Sequence, residues 1–141
     1  MKFDILVDRI LKESNVIKLR GNNPSPKVDE YKNIVYSWGK LNPMNESEVL
    51  IDNCLLILKN SFNKIHIEHI RSLPEFRNQG HASKLLKRLV DLADKMNIKM
   101  TLFTDQTDQE GLPEHSLIDW YKRYGFEYED EEGELMIRYP R

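Results

Sequence analysis

The sequence predicts a mixed α/β fold of the α+β kind: a central sheet that is mixed but mostly antiparallel, with flanking helices. Three observations carry that expectation. Segments rich in β-branched and aromatic residues stand close together in pairs, as hairpins do. From about Gln79 to Met96, the residues Ala82, Leu85, Leu86, Leu89, Val90, Ala93 and Met96 recur at helical spacing. Strand-like segments stand on both sides of that helix, Lys64 to Ser72 and Ile98 to Thr104, so the second returns beside the first through a helical crossover and runs parallel to it. With 141 residues the chain suits one domain, 1–141, around one core.

In chain order, Phe3, Leu6, Val7, Ile10 and Leu11 mark one face of an amphipathic helix that ends before Asn15. Val16 to Leu19 predicts a short strand, and Gly21 to Pro26 a loop by its turn chemistry. Tyr31 to Trp38 has strand-forming residues and is followed by a loop, Gly39 to Glu48, that holds Pro43. Val49 to Leu58 and Ile65 to Ser72, separated by Asn60-Ser61-Phe62-Asn63, read as an antiparallel hairpin. After the long helix and its returning strand, Asp105 to Glu114 is a polar excursion longer than an ordinary connection. A second helix runs from near Ser116, with Leu117, Trp120, Tyr121 and Tyr124 on one face and Gly125 placed to cap it. Phe126 to Tyr128 and Leu135 to Tyr139 form a last hairpin around a solvated acidic turn.

Composition narrows the partners. The 21 basic and 23 acidic residues leave a net charge of −2, which favours neither a nucleic-acid groove nor a membrane surface. No apolar run approaches the roughly 20 residues needed to span a bilayer. Asp4, Asp8 and Arg9 interrupt Ile5-Leu6-Val7, so the start is not the apolar core of a signal peptide. The lone Cys54 lies in an apolar run and reads as a buried structural thiol; no intrachain disulfide can form, and a cytoplasmic location fits. Oligomeric state is left open, a homodimer included.

The most informative stretch is Leu73 to Leu86, where a strand ends and a helix begins. A helix N-terminus offers unpaired N–H groups and a partial positive charge, so a turn feeding it can bind an anion, and Gly80 lets the backbone come close. Known nucleotide motifs do not match: no Gly-Lys-Ser/Thr follows, and the second and third glycines of a dinucleotide fingerprint are missing. The order Arg77-x-x-Gly80-x-Ala82, with Pro74 and Phe76 before it and Leu85-Leu86 after it, resembles the Arg/Gln-x-x-Gly-x-Gly/Ala signature of the GCN5-related N-acetyltransferase (GNAT) family. A second segment, Leu117 to Phe126, is similar to the family's segment ending in aromatic-Tyr-x-x-x-Gly-Phe. The resemblance covers residues 50 to 139.

It implies a splayed pair of parallel strands, acetyl-coenzyme A as cosubstrate, and transfer of an acetyl group to a primary amine. By position, Ile70, Arg71 and Ser72 would hold pantetheine, and Arg77, Asn78, Gln79, Gly80, His81, Ala82 and Ser83 the pyrophosphate. Lys84 and Arg88, or Lys122 and Arg123, would reach the adenosine phosphate. Two departures stand out: Glu114 replaces an asparagine common in relatives, and His81 an aliphatic residue.

The chemistry needs a base and an acid, because a protonated amine with a pKa of roughly 10 cannot attack a thioester and the departing thiolate benefits from a proton. The resemblance puts Tyr121 near the sulfur, as the acid. For the base, His66 and Glu68 stand two apart on one strand and so project from one face, with His69 pointing the other way. His66 accepts a proton near its ordinary value of about 6.5, whereas Glu68 needs burial to reach that range; Glu68 ranks slightly ahead. His66, Glu68 and His69 also suggest a metal, but a zinc-deaminase signature needs a Cys-x-x-Cys that one cysteine cannot supply, so no metal is expected.

From residue 105 onward, 11 acidic residues face four basic ones, a field that favours a cationic acceptor. A small amine or a protein lysine qualifies. Leu117 to Arg138 is similar to small phage anti-CRISPR acetyltransferases that modify a lysine of a CRISPR nuclease, which raises protein lysine. The competing reading is a non-catalytic domain of the same fold that binds acyl-coenzyme A or a protein partner.

Overall fold

The computed structural model describes residues 25–104, 114–129 and 134–141. The helix expected over Phe3 to Leu11, the strand Val16 to Leu19, most of the Gly21 to Pro26 loop, the polar excursion before Glu114 and the tip of the acidic turn lie outside the described residues. Among the described residues, seven strands form one sheet in the order β1-β2-β3-β4-β5-β7-β6.

The described chain opens with a helix, α1 (Pro26–Tyr36), where a strand was expected from Tyr31 onward. The side chain of Ser25 accepts the Val28 N–H, and Pro26 occupies the first turn, where its missing N–H costs nothing. Tyr31, Val35 and Tyr36 favour strands by local propensity. Val28, Tyr31 and Val35 nevertheless fall on one helical face and are fully buried, so packing overrides propensity. The buried Tyr31 hydroxyl donates to the Leu89 carbonyl at 2.7 Å and ties α1 to the later helix; burial raises its pKa.

The expected loop from Gly39 to Glu48 is also corrected. It contains β1 (Lys40–Asn42) and most of β2 (Asn45–Ile51), an antiparallel hairpin turning at Pro43-Met44. Gly39 is required there by close approach, since a Cβ would lie 2.0 Å from the Leu50 carbonyl oxygen. Val49 to Leu58 is not one strand. Asp52 and Asn53 take left-handed conformations, φ 49° and 68°, and turn the chain from β2 into β3 (Cys54–Asn60). The Tyr36 hydroxyl bridges these two strands, donating to the Ser47 carbonyl at 2.5 Å and accepting from the Leu58 N–H at 3.0 Å.

The remaining elements follow the expected order. β4 (Lys64–Ser72) is antiparallel to β3; a 3-10 turn (Pro74–Phe76) leads to α2 (His81–Met96); and β5 (Lys99–Phe103) returns parallel to β4. α3 (Glu114–Arg123) ends at Gly125, φ 99°, followed by β6 (Glu127–Tyr128) and β7 (Leu135–Arg138), which pair antiparallel.

One sheet face forms the core. Leu56, Leu58, Ile65, Ile70 and Met100 are buried with Leu85, Leu86 and Leu89 of α2, each such side chain contributing roughly 1.5–3 kcal/mol. On the same face, Arg138 of β7, paired with Met100, grips Asp94 of α2 with two hydrogen bonds (2.7 and 2.9 Å) and donates to the Tyr124 carbonyl. The Arg138 hydrogen bonds, helped by the Arg141 N–H, hold the Asp94 carboxyl below its ordinary value against the opposing effect of burial. No helix among the described residues is long and apolar enough to cross a membrane.

Candidate active site

The site is built around β4, whose two edges differ. Toward β3, pairing runs from Asn60↔Ile65 to Cys54↔Ser72. Toward β5 it covers only Lys64 to Ile67 and ends at Ile67↔Leu102. Beyond that, residues 68 to 72 pair with no strand on the β5 side among the described residues. The parallel pairing thus stops close to the end of β5, which runs one residue further, to Phe103.

The pairing with β5 ends beside a bulge. On β3, Leu58 faces Ile67 and Ile57 faces His69, so Glu68 is the extra residue. The bulge resets which side chains face the core: Ile65 and Ile67 are buried before it, Ile70 and Ser72 after it. His69 is thereby brought to the same half-exposed side as His66, and Arg71 Nε donates to His69 Nε2 at 2.8 Å. The expectation that His69 points away from His66 and Glu68 is corrected, because strict alternation fails at a bulge.

The side chains around the bulge form a polar group. His66 Nδ1 lies 2.8 Å from Thr101 Oγ1, and its ring meets Phe103 edge-on. Burial first, then the neighbouring Lys64, lowers the His66 pKa; Glu68 opposes and Lys59 adds to the lowering. His66 is therefore neutral at pH 7. Glu68 keeps 41% of its side chain exposed, and its Oε1 lies 3.3 Å from Lys59 Nζ. That contact is an ion pair by distance without hydrogen-bond alignment, so Oε1, itself shielded from solvent, has no hydrogen-bond partner.

At the other end of the open edge lies the turn into α2. Asn78 (φ 63°) and Gly80 (φ 83°) adopt left-handed conformations, and the Lys84 N–H returns to the Gly80 carbonyl. The N–H groups of His81, Ala82 and Ser83 thus precede the first intrahelical bond, and Gly80 has no side chain to cap them. A Cβ on Gly80 would meet nothing within 4 Å. This is open space in front of a helix N-terminus.

A cleft of about 270 Å³ occupies that space, lined by Ser72, Asn78, Gly80, Ala82 and Ser83 and closed by Ser116, Trp120 and Arg123 of α3. Trp120 Nε1 donates to Ser83 Oγ at 2.8 Å and fastens the two helices together. Five of the ten residues expected to bind coenzyme line the cleft. The others are placed differently: the Ile70 side chain is in the core, Arg71 bonds His69, Gln79 reaches back to the Glu75 carbonyl, and His81 packs edge-on against Phe76. Arg77 Nε is buried with no hydrogen-bond partner. Arg88 turns to Asp52 and stacks over Trp38. Tyr121 is buried between Trp120 and Phe126, with ring centroids 4.9 and 5.7 Å away.

Residues 20–126 match the family described as Acetyltransferase (GNAT) family. The chain belongs to the GNAT family. Its fold is shared with the crystal structure of the anti-CRISPR protein AcrVA5, at a TM-score of 0.53 and 20% identity over 64% of this chain and 94% of that one. Arabidopsis thaliana Naa50 in complex with a bisubstrate analogue, CoA-Ac-MVNAL, matches at a TM-score of 0.47 and 17% identity over 97% of this chain and 92% of that one. Tetrahymena GCN5 matches at 0.40 and 16%, over 62% and 68%. No curated protein sequence matches significantly.

Within this GNAT chain, sequence reasoning missed the Glu68 bulge and the parts that Ser116 and Trp120 play in the cleft. A bulge has no local signature, since it is defined by what the neighbouring strand does. Trp120 carried a signal in its helical spacing beside Tyr121, but that spacing reads equally as core packing.

Proposed function

We propose that the protein transfers the acetyl group of acetyl-coenzyme A to a primary amine. One observation carries this reading: the edge of β4 that meets no strand among the described residues beyond Ile67 runs from an uncapped helix N-terminus at Gly80 to a polar group at Glu68 and His66. The cleft suits the coenzyme's pyrophosphate, because N–H groups of His81, Ala82 and Ser83 and the Arg123 side chain supply positive charge and Gly80 leaves room. The backbone of Ile70 to Ser72 then suits the amide-bearing pantetheine arm as an added strand would. That path brings the acyl end to the bulge.

There, Glu68 draws the acceptor's ammonium by charge. His66, neutral and held by Thr101, takes its proton. This reverses the order the sequence favours, because Glu68 is already ion-paired to Lys59. Tyr121 supplies the proton for the leaving thiolate. The acidic C-terminal segment from residue 105 onward steers a cationic acceptor toward the site, a small amine or a protein lysine. The one cysteine, buried Cys54, suits a reducing cytoplasm.

The test is acetyl transfer from acetyl-coenzyme A to polyamine, amino-sugar and lysine-peptide acceptors, followed across pH for the native protein, His66→Gln, Glu68→Gln and Tyr121→Phe. With His66 as base, kcat/KM rises with pH through a value below 6.5 and then levels, and His66→Gln lowers it by about 10²-fold or more and removes that limb. A limb that survives His66→Gln and vanishes in Glu68→Gln makes Glu68 the base. Coenzyme binding with no turnover on any amine supports the binding-only reading instead.

A further inference from the structure

Lys59 stands where an acceptor amine is wanted. It faces His66 directly across the β3–β4 ladder, and its Nζ lies 3.3 Å from Glu68 Oε1 at the bulge where the open edge of β4 begins. Opposed residues on one face of an antiparallel pair hold their Cβ atoms about 5 Å apart, within easy reach of a lysine stem. The side chain is 65% exposed, so its Nζ is free to swing over the bulge. Glu68 already holds the ammonium, although without hydrogen-bond alignment.

We propose that Lys59 is a site of self-acetylation: the chain's own amine, held by Glu68 beside His66, takes the acetyl group from acetyl-coenzyme A. This rests on the acetyltransferase reading above. The Lys59 ammonium gives one proton to His66; the freed nitrogen bonds to the acetyl carbonyl carbon; the carbon–sulfur bond breaks, and the thiolate leaves as coenzyme A thiol with a proton from Tyr121. The second nitrogen proton goes to solvent as the amide forms, and both side chains then re-equilibrate with water. The balance is one ammonium and one thioester converted to one amide, one thiol and one released proton. Once acetylated, Lys59 no longer pairs with Glu68, so the modification frees that carboxylate for an external amine.

Lys87 supplies an internal standard, being 62% exposed and ion-paired to Asp91 at 2.7 Å but located on α2. The pure full-length protein is incubated with isotope-labelled acetyl-coenzyme A, and label on the peptides carrying Lys59 and Lys87 is followed by mass spectrometry. The expected result is initial labelling of Lys59 at least tenfold faster than Lys87, with a first-order rate unchanged on tenfold dilution. In Glu68→Gln and His66→Gln, Lys59 should fall toward the Lys87 rate, and Lys59→Arg should remove the fast phase. Equal rates at Lys59 and Lys87, or fast labelling that both variants retain, overturns the proposal. A parallel thermal shift with acetyl-coenzyme A and a transfer assay with free amines separate the two claims. Coenzyme binding and amine turnover without Lys59 labelling removes the self-acetylation alone, whereas no binding at all removes both.

Discussion

The two edges of β4 divide the labour of the molecule. The β3 edge is paired from Ile65 to Ser72 and interrupted only at Glu68, while the β5 edge is paired to Ile67 and beyond it meets no strand among the described residues. Side chains along the paired edge are core: Leu56, Leu58, Ile67 and Ile70 are at most 3% exposed. At the open edge the polar residues collect, from His66 and Glu68 at the bulge to Asn78 and Gly80 at the cleft. Where a strand has no partner among the described residues on one side and is fully supported on the other, its backbone groups are held in a fixed geometry that a ligand bearing amides can use. The fold gives up pairing on one edge and secures it on the other.

The largest expected effect falls on the supported edge. Ile70→Ala leaves a cavity beneath β4 and should cost about 3 kcal/mol, read as a lower urea midpoint with an unchanged slope. A loss under about 1 kcal/mol would mean that β4 is not held from its core side.

Beside the short β4–β5 ladder, the Arg138–Asp94 grip ties β7 to α2. Arg138→Met should cost about 2 kcal/mol, less than for a fully buried pair because Asp94 is partly exposed. The pH dependence has a definite sign. The folded pKa of Asp94 is depressed, so its contribution is complete above the unfolded value of about 3.9 and is lost as pH falls through the folded value. Chemical unfolding across pH should show a steeper acid loss in the native protein than in the variant.

A smaller effect tests the support of β3 itself. Tyr36→Phe leaves the Leu58 N–H and the Ser47 carbonyl without their shared partner and should cost about 1 kcal/mol, with faster amide exchange at Leu58. Unchanged protection at Leu58 would show that β2 and β3 close on each other without the phenol.

The open side was the more legible of the two in the sequence. A glycine at a strand-to-helix junction and a strongly periodic helix announce themselves locally, and the motif around Arg77, Gly80 and Ala82 lies within six residues. The supporting side depends on distant contacts. Tyr31 and Val35 favour a strand until α2 is there to bury them, and the Asp52-Asn53 turn, although both residues tolerate left-handed backbone, is hidden between two apolar runs that read as one strand. The same holds inside the site. Sequence spacing brought His66 and Glu68 to one face, but the pairing shift that also brings His69 there belongs to β3, and the ion pair with Lys59 depends on the register it sets.

The central claim is that the open edge of β4 and the start of α2 receive acetyl-coenzyme A, and an amide-resolved NMR titration tests it directly. Bound coenzyme should move or protect the N–H signals of Arg71, Ser72, Gly80, His81, Ala82 and Ser83, while Leu41 and Leu50 at the far edge of the sheet stay in place. No change at millimolar acetyl-coenzyme A, or changes confined to the groove beside Tyr128 and Tyr139, would contradict it.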